Sequence, residues 1–258
     1  MAAALQAGWP TVAMLVRRSA NEIVRVPGAA IPGVLAPTIF FLGLTSVFGA
    51  LTDLGGFGVE NYQSFLIPVS MLQGAGFTGA ATGVNLARDI EQGWFDRLLA
   101  SPAPRPALLA GLVLSASVRA LVPAIVLLVV ALSIGASWPG IDGLALMLLA
   151  VMAMGTVAAL YGCSLALKFR SQSAAPLMQA GMFIGVLFTS SYAPLDRLES
   201  WLRTVAEINP ITQVLELARQ GFVGEVTWAD TWPGLLALAA LIIVFATLAL
   251  RGMHRMAD

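Results

Sequence analysis

Six stretches of this chain are long, apolar and almost free of charge. They run through about residues 29–51, 65–87, 108–134, 143–167, 174–193 and 233–250, each near or above the ~20 residues an α-helix needs to cross a hydrocarbon core. Five contain no Asp, Glu, Lys or Arg, and the third contains one, Arg119. Charged residues make up 11% of the chain, against about 25% in an ordinary soluble domain. Too little polar surface is left to cover a globule, so the bilayer is the solvent. The expected fold is all-α and polytopic, a single membrane domain over residues 1–258 with six transmembrane helices.

Orientation follows from Lys and Arg in alternate loops. The first side carries Arg17, Arg18 and Arg25 before span one, Arg88, Arg97 and Arg105 after span two, Lys168 and Arg170 after span four, and Arg251 and Arg255 in the tail. The opposite side has only Arg197, Arg203 and Arg219, all in the 194–232 loop. This bias predicts that both termini face the cytoplasm. Residues 1–27 lack the basic-then-apolar order of a signal peptide. Their apolar positions Trp9, Val12, Ala13, Val16, Ala20, Ile23 and Val24 recur at helical spacing, as expected of a helix in the membrane interface that ends at Pro27.

Several chemistries are disfavoured. The formal net charge is zero, so no global field draws nucleic acid. Cys163 and His254 are the sole residues of their types, which leaves no internal disulfide, cysteine metal cluster or histidine-based catalysis. The spans hold no Asp, Glu or His. An intramembrane enzyme needs such groups, and an ion-coupled secondary transporter usually has intramembrane acids and broken, repeated helices.

The segment between spans two and three, residues 88–106, is informative. Ile90, Trp94, Phe95, Leu98 and Leu99 fall on one helical face, while Arg88, Asp89, Glu91, Asp96 and Arg97 stay in water. Pro102, Pro104 and Pro106 end the helix and aim the chain into span three. A short helix along the membrane with bulky apolar knobs suits either a loop anchor or a lever for a cytoplasmic partner. In the 194–232 loop, Leu195, Leu198, Trp201, Leu202, Val205 and Ile208 form one face of a short amphipathic helix. Asn209-Pro210 reads as an N-cap with proline at the first helical position, opening a second short helix through Gln220. Two such helices can enter the membrane from outside without crossing it.

The set Arg88, Glu91, Gly93, Arg97-Leu98-Leu99, Pro102 and Gly111 resembles the signature of type-2 ABC transporter permeases, and in particular bacterial daunorubicin-resistance-type drug exporter permeases. Arg25-Val26-Pro27 with Pro37 and Phe48-Gly49 is similar to that family's entry. Ala193-Pro194 to Leu198, Trp201-Leu202, Asn209-Pro210-Ile211-Thr212 and Ala218-Arg219 are similar to its loop before the last span. Glu199-Ser200 departs from it, since many relatives carry a proline just before the tryptophan, and the shape of that loop is the feature this leaves open. The resemblance implies a six-span permease in the bacterial plasma membrane, paired with a second copy or a paralogue. It implies coupling through Arg88, Glu91, Gly93, Trp94, Phe95, Arg97, Leu98, Leu99 and Pro102 to a separate ABC ATPase that holds ATP and magnesium. A P-loop needs G-x-x-x-x-G-K-[ST], and the only lysine, Lys168, lies between Leu167 and Phe169, so the chain itself has no such loop. The implied cargo is a lipophilic small molecule such as a drug, with a lipid or lipid-linked glycan as the alternative within the family and an ATP-independent secondary transporter or channel as the alternative outside it.

Relatives line the substrate path with spans two and five, which nominates Gln73, Phe77, Gln179, Met182, Phe183 and Phe188. Gly79-x-x-x-Gly83 and Gly181-x-x-x-Gly185 are small-residue faces that permit close helix approach. Arg119 costs about 2.5–3.5 kcal/mol at a span centre on translocon scales. It is expected to bond backbone carbonyls or Ser115 inside the bundle, with contact to substrate or lipid as the other reading.

Overall fold

A computed structural model of the protein describes residues 12–14, 16–17, 31–49, 61–99 and 104–256. Most of the expected interfacial helix over 1–27 lies outside these residues, as does Pro102; within it, Val12–Met14 and Val16–Arg17 are helical. Among the described residues there is helix and no strand. The helices are α1 (Ile31–Phe48), α2 (Tyr62–Glu91), α3 (Trp94–Leu99), α4 (Arg105–Arg119), α5 (Leu121–Ser133), α6 (Gly140–Phe169), α7 (Ala175–Leu187), α8 (Ser200–Ile208), α9 (Pro210–Arg219) and α10 (Trp228–His254).

Three helical runs are long and apolar enough to cross a membrane: Arg105–Ser133, Gly140–Phe169 and Trp228–His254. The first joins α4 and α5 through Ala120 alone, with φ −62° and ψ −20°. The break has a local cause, because Pro123 has no N–H to give the carbonyl four residues before it, that of Arg119. α1 is apolar but shorter. Its Thr38, Thr45 and Ser46 hydroxyls return to the Val34, Phe41 and Leu42 carbonyls at 2.7–2.8 Å, which hides them from an apolar surround.

α2 has the length to span, 30 residues, but its middle is small and polar, and it is the hub of the bundle. It packs most extensively along α6 and also touches α1, α7, α5, α4 and α9. It starts earlier than the apolar run suggests, because Asn61 caps it by accepting from the Ser64 N–H at 2.8 Å. The same side chain donates to the Gly135 carbonyl at 3.2 Å. At its other end α2 runs on through Arg88 and Glu91, which the sequence reading assigns to the short connecting helix. Gly93, at φ +71°, makes the turn that separates α2 from α3, a conformation open to glycine at little cost.

α7 departs most from expectation. The apolar run 174–193 predicts a span, yet the helix ends at Leu187 after 13 residues. At 1.5 Å per residue that is about 20 Å, short of the ~30 Å hydrocarbon core. The helix is followed by the non-helical segment 188–194 and by α8 and α9; α9 packs against α7, and Trp201 of α8 meets Phe188. The face drawn through Leu195 and Leu198 is divided here. Leu195–Arg197 is a separate 3₁₀ turn, and Leu198 is extended at φ −78°, ψ 147°. Only Ser200–Ile208 forms the helix, with Trp201 and Ile208 exposed. α10 covers more than the 233–250 run. Its cap is Thr227, whose hydroxyl accepts from the Asp230 N–H at 3.2 Å.

Candidate functional site

Two constellations stand at opposite ends of α2. At the Arg88 end, α3 presents Trp94, 60% exposed, with the Arg97 guanidinium 5.1 Å over its ring. Phe95, on the same expected face, points the other way and is buried in the core. Leu98 and Leu99 are half-buried against that core. The apolar side of this helix therefore anchors it, and Trp94 is the knob left outside. Arg97 keeps it company as a cation over an aromatic face.

Glu91, the last residue of α2, reaches the connection between α6 and α7. Its Oε1 accepts from the Ser171 hydroxyl at 2.7 Å and from the Gln172 backbone N–H at 2.9 Å. Its Oε2 accepts from Gln172 Nε2 at 2.7 Å. Arg88 Nε donates to Gln172 Oε1 at 3.4 Å. These three donors, that of Ser171 first, hold the Glu91 carboxyl below its ordinary value of 4.5. With a depressed folded-state pKa, the contribution of these bonds is complete above the ordinary value and is lost as pH falls through the lower one. In isotope-edited infrared spectra of membranes, the Glu91 carboxylate band should persist to below pH 4.5. A band already half-lost above that pH would mean the clamp is open in solution.

The opposite end is closed by side chains that finish α7. A helix end leaves carbonyls without partners, and at membrane depth each must be satisfied by protein. The Asn209 side-chain amide donates to the Gly185 and Phe188 carbonyls at 2.8 and 2.9 Å, while its oxygen caps α9 by accepting from Ile211 N–H at 3.0 Å. Arg219 does the rest. Its Nη2 donates to the Ser190 and Ser191 carbonyls at 2.5 and 3.1 Å, and its Nη1 donates to the Ser190 hydroxyl and Glu216 Oε1, both at 3.0 Å. Its Nε donates to the Phe65 carbonyl at 3.4 Å, with the guanidinium 3.8 Å over the Phe65 ring. Arg219 is only 4% exposed while Glu216 is 41% exposed, because the carboxylate opens on a cavity of about 410 Å³ between α9 and the start of α10. Gln73 Nε2 donates to the Tyr192 hydroxyl at 3.0 Å, and Tyr62 donates to the Tyr192 carbonyl at 3.1 Å.

Of the residues nominated for a path, the structure brings Phe77, Met182 and Phe183 together. Phe77 and Phe183 stack at 6.2 Å, Met182 lies over Gly76, and Phe40 of α1 joins at 6.1 Å from Phe183. Phe40 escaped the sequence reading because its partners are distant in the chain. Gln179, half-buried, sits one turn before Phe183. Gln73 and Phe188 do not join this group: Gln73 is bonded to Tyr192, and Phe188 meets Trp201 edge-on at 6.2 Å.

Gly79 and Gly83 face α6 backbone. A Cβ on Gly79 would meet the Gly155 carbonyl at 2.5 Å, and one on Gly83 would run into the Gly162 backbone. Gly181 and Gly185 face side chains instead, Tyr161 and Ile211. Arg119, at the α4–α5 break, donates from Nη2 to the Thr82 hydroxyl of α2 at 2.7 Å. Ser115, its expected partner, bonds the Leu112 carbonyl instead.

The profile of the ABC-2 type transporter family matches residues 11–223. Two curated relatives are similar along the chain. The daunorubicin resistance ABC transporter permease protein DrrB1 of Streptomyces coeruleorubidus is 27% identical over 227 residues, spanning 84% of this chain and 77% of its own. The protein named "Probable multidrug ABC transporter permease YbhR" in Escherichia coli (strain K12) is 25% identical over 193 residues, 69% of this chain and 50% of its own.

Proposed function

We propose, because this chain belongs to the ABC-2 type transporter family, that it is the membrane permease of an ATP-driven exporter whose cargo is a lipophilic small molecule such as a drug. In this reading the chain crosses the membrane six times, through α1, α2, α4–α5, α6, α7 with its re-entrant α8 and α9, and α10. Both termini face the cytoplasm. A second copy or a paralogue completes the transport unit, and a separate ATPase binds ATP and magnesium. Cargo class is supported by the similarity to the Streptomyces coeruleorubidus daunorubicin resistance permease and by the Phe40, Phe77, Met182 and Phe183 side chains. Flexible thioether and flat rings suit varied apolar ligands.

The observation that carries the reading is Trp94, a large exposed aromatic at the start of α3, just past the end of α2, the most buried helix. Its neighbour Phe95 fixes α3 to the permease from below, so a push on Trp94 is a push on the bundle. Tryptophan is the residue type in which interface binding energy concentrates. Trp94→Asp should leave a folded permease and lower co-purification of the ATPase by about tenfold or more. Phe95→Asp tests nothing cleanly, because it buries a charge in the core. If Trp94→Asp retained the ATPase at the native ratio, α3 would not be its docking site.

A further inference from the structure

Glu91 uses both carboxylate oxygens, and all three of its donors come from one turn, Ser171-Gln172. Gln172 is engaged on the same side: its N–H and Nε2 donate to Glu91, and its Oε1 accepts from Arg88. Ser171 also caps the 3₁₀ turn Gln172–Ala174, accepting from the Ser173 N–H at 3.2 Å. That turn passes directly into α7 at Ala175. Just before it, Arg170 is held at φ +54°, a left-handed conformation that costs a non-glycine residue of order 1 kcal/mol or more and persists where its surroundings impose it. The cluster lies in water, where single hydrogen bonds add little net stability. Four bonds converging on one strained turn are better suited to fixing a position than to holding a fold together.

We propose that Glu91 is a positioning residue that transmits movement of the Trp94–Leu99 helix to α7 through the Ser171-Gln172 turn. The inference rests on the reading that an ATPase pushes on that helix. Mechanically, α3 is joined to α2 by the Gln92-Gly93 turn, and Glu91 is the residue immediately before it. When the tip of α2 shifts, the carboxylate draws the Ser171-Gln172 turn with it. The N-terminus of α7 then moves, and with it Gln179, Met182 and Phe183. Phe77 on α2 and Phe183 on α7, stacked at 6.2 Å, change their relation as a result.

The test uses the full complex of permease and ATPase in proteoliposomes, with daunorubicin as the fluorescent probe. Ser171→Ala with Gln172→Ala removes two of the three donors without touching α3. This variant should keep the ATPase bound and hydrolysing ATP, yet move about tenfold less daunorubicin per ATP, the size of a typical coupling between sites. Glu91→Gln should lower the same ratio, and adding Gln172→Glu should restore most of it by returning a carboxylate–amide pair. Transport per ATP within about twofold of native in the alanine pair, or failure of the exchange to recover Glu91→Gln, overturns the proposal. Loss of ATPase binding by the alanine pair also overturns it, since the turn would then belong to the docking surface. If the native chain recruits no ATPase or moves no probe with ATP, the functional reading above fails, and this inference falls with it.

Discussion

Replacing Arg219 by methionine should destabilise the folded permease by about 3–5 kcal/mol, the range for removing one member of a buried charged network. The side chain is 4% exposed, and methionine keeps its apolar stem out to the position of Nε, so the loss is confined to the guanidinium, its hydrogen bonds and its contact with the Phe65 ring. Without the guanidinium, the Ser190 and Ser191 carbonyls lose their donor, while the Phe65 carbonyl, inside α2, loses only a second, longer bond. Each unsatisfied buried acceptor costs about 1–3 kcal/mol. Glu216 retains the Ser190 hydroxyl, at 2.6 Å, and its cavity admits water, so the carboxylate is not the main source of the loss. Arg219→Lys should recover little, because an ammonium cannot serve acceptors spread around the edge of a planar fork. Thermal unfolding in nanodiscs reads the difference, and limited proteolysis should place early cutting between residues 188 and 227. A methionine variant as stable as the native chain would mean that α7 ends without help from α9.

This network shows what a sequence of this kind conceals. The apolar runs give the helical class, and Asn209-Pro210 gives the start of α9, because capping is local. The end of α7 is not local. Phe188 to Ala193 reads as continued apolar span, and only the arrival of Arg219 and Asn209 makes a non-helical chain tolerable there. α2 is found from the apolar run 65–87 but carries Gln73, Thr78, Thr82 and Asn85 along it, since a helix buried on nearly all sides by protein has no need of an apolar surface. Periodicity put Trp94 and Phe95 on one face, although adjacent residues point about 100° apart on a helix, and the turn at Gly93 decides which one the core receives. Glu91 is separated in sequence from Ser171 and Gln172 by the whole of four helices, α3 to α6, and nothing in either segment names the other. Arg119 is expected to find its partners nearby, at backbone carbonyls or Ser115, whereas the structure gives its Nη2 the Thr82 hydroxyl on a neighbouring helix, a partner that sequence distance hides.

Gly83→Leu should have a comparable effect, from a different cause. The α2–α6 seam brings backbone against backbone. A Cβ at Gly83 would collide with the Gly162 carbonyl group, and one at Gly79 would meet Gly155 O at 2.5 Å, Ala158 Cβ at 2.6 Å and Ala159 N at 2.9 Å. A flexible neighbour could yield, but a helix backbone can do so only if the two helices part. Overpacking a well-filled core costs about 1–3 kcal/mol and sometimes more, and a rigid seam belongs at the upper end of that range. Apolar association between helices is weak in lipid, where close van der Waals contact carries much of the packing, so separation forfeits much of what holds α2 in place. Gly43→Leu is the control: it lies on an apolar helix too, with nothing within 4 Å of an added Cβ, and should leave thermal stability unchanged. The two substitutions add the same side chain to the same class of element, so any difference reports the seam alone. Gly83 also precedes Arg88 and Glu91 on the same helix, and a displaced α2 pulls Glu91 away from Ser171. The Gly83→Leu protein that does fold should therefore bind the ATPase through Trp94 and yet transport poorly, whereas native stability and native transport together would mean that α2 and α6 are not packed as described.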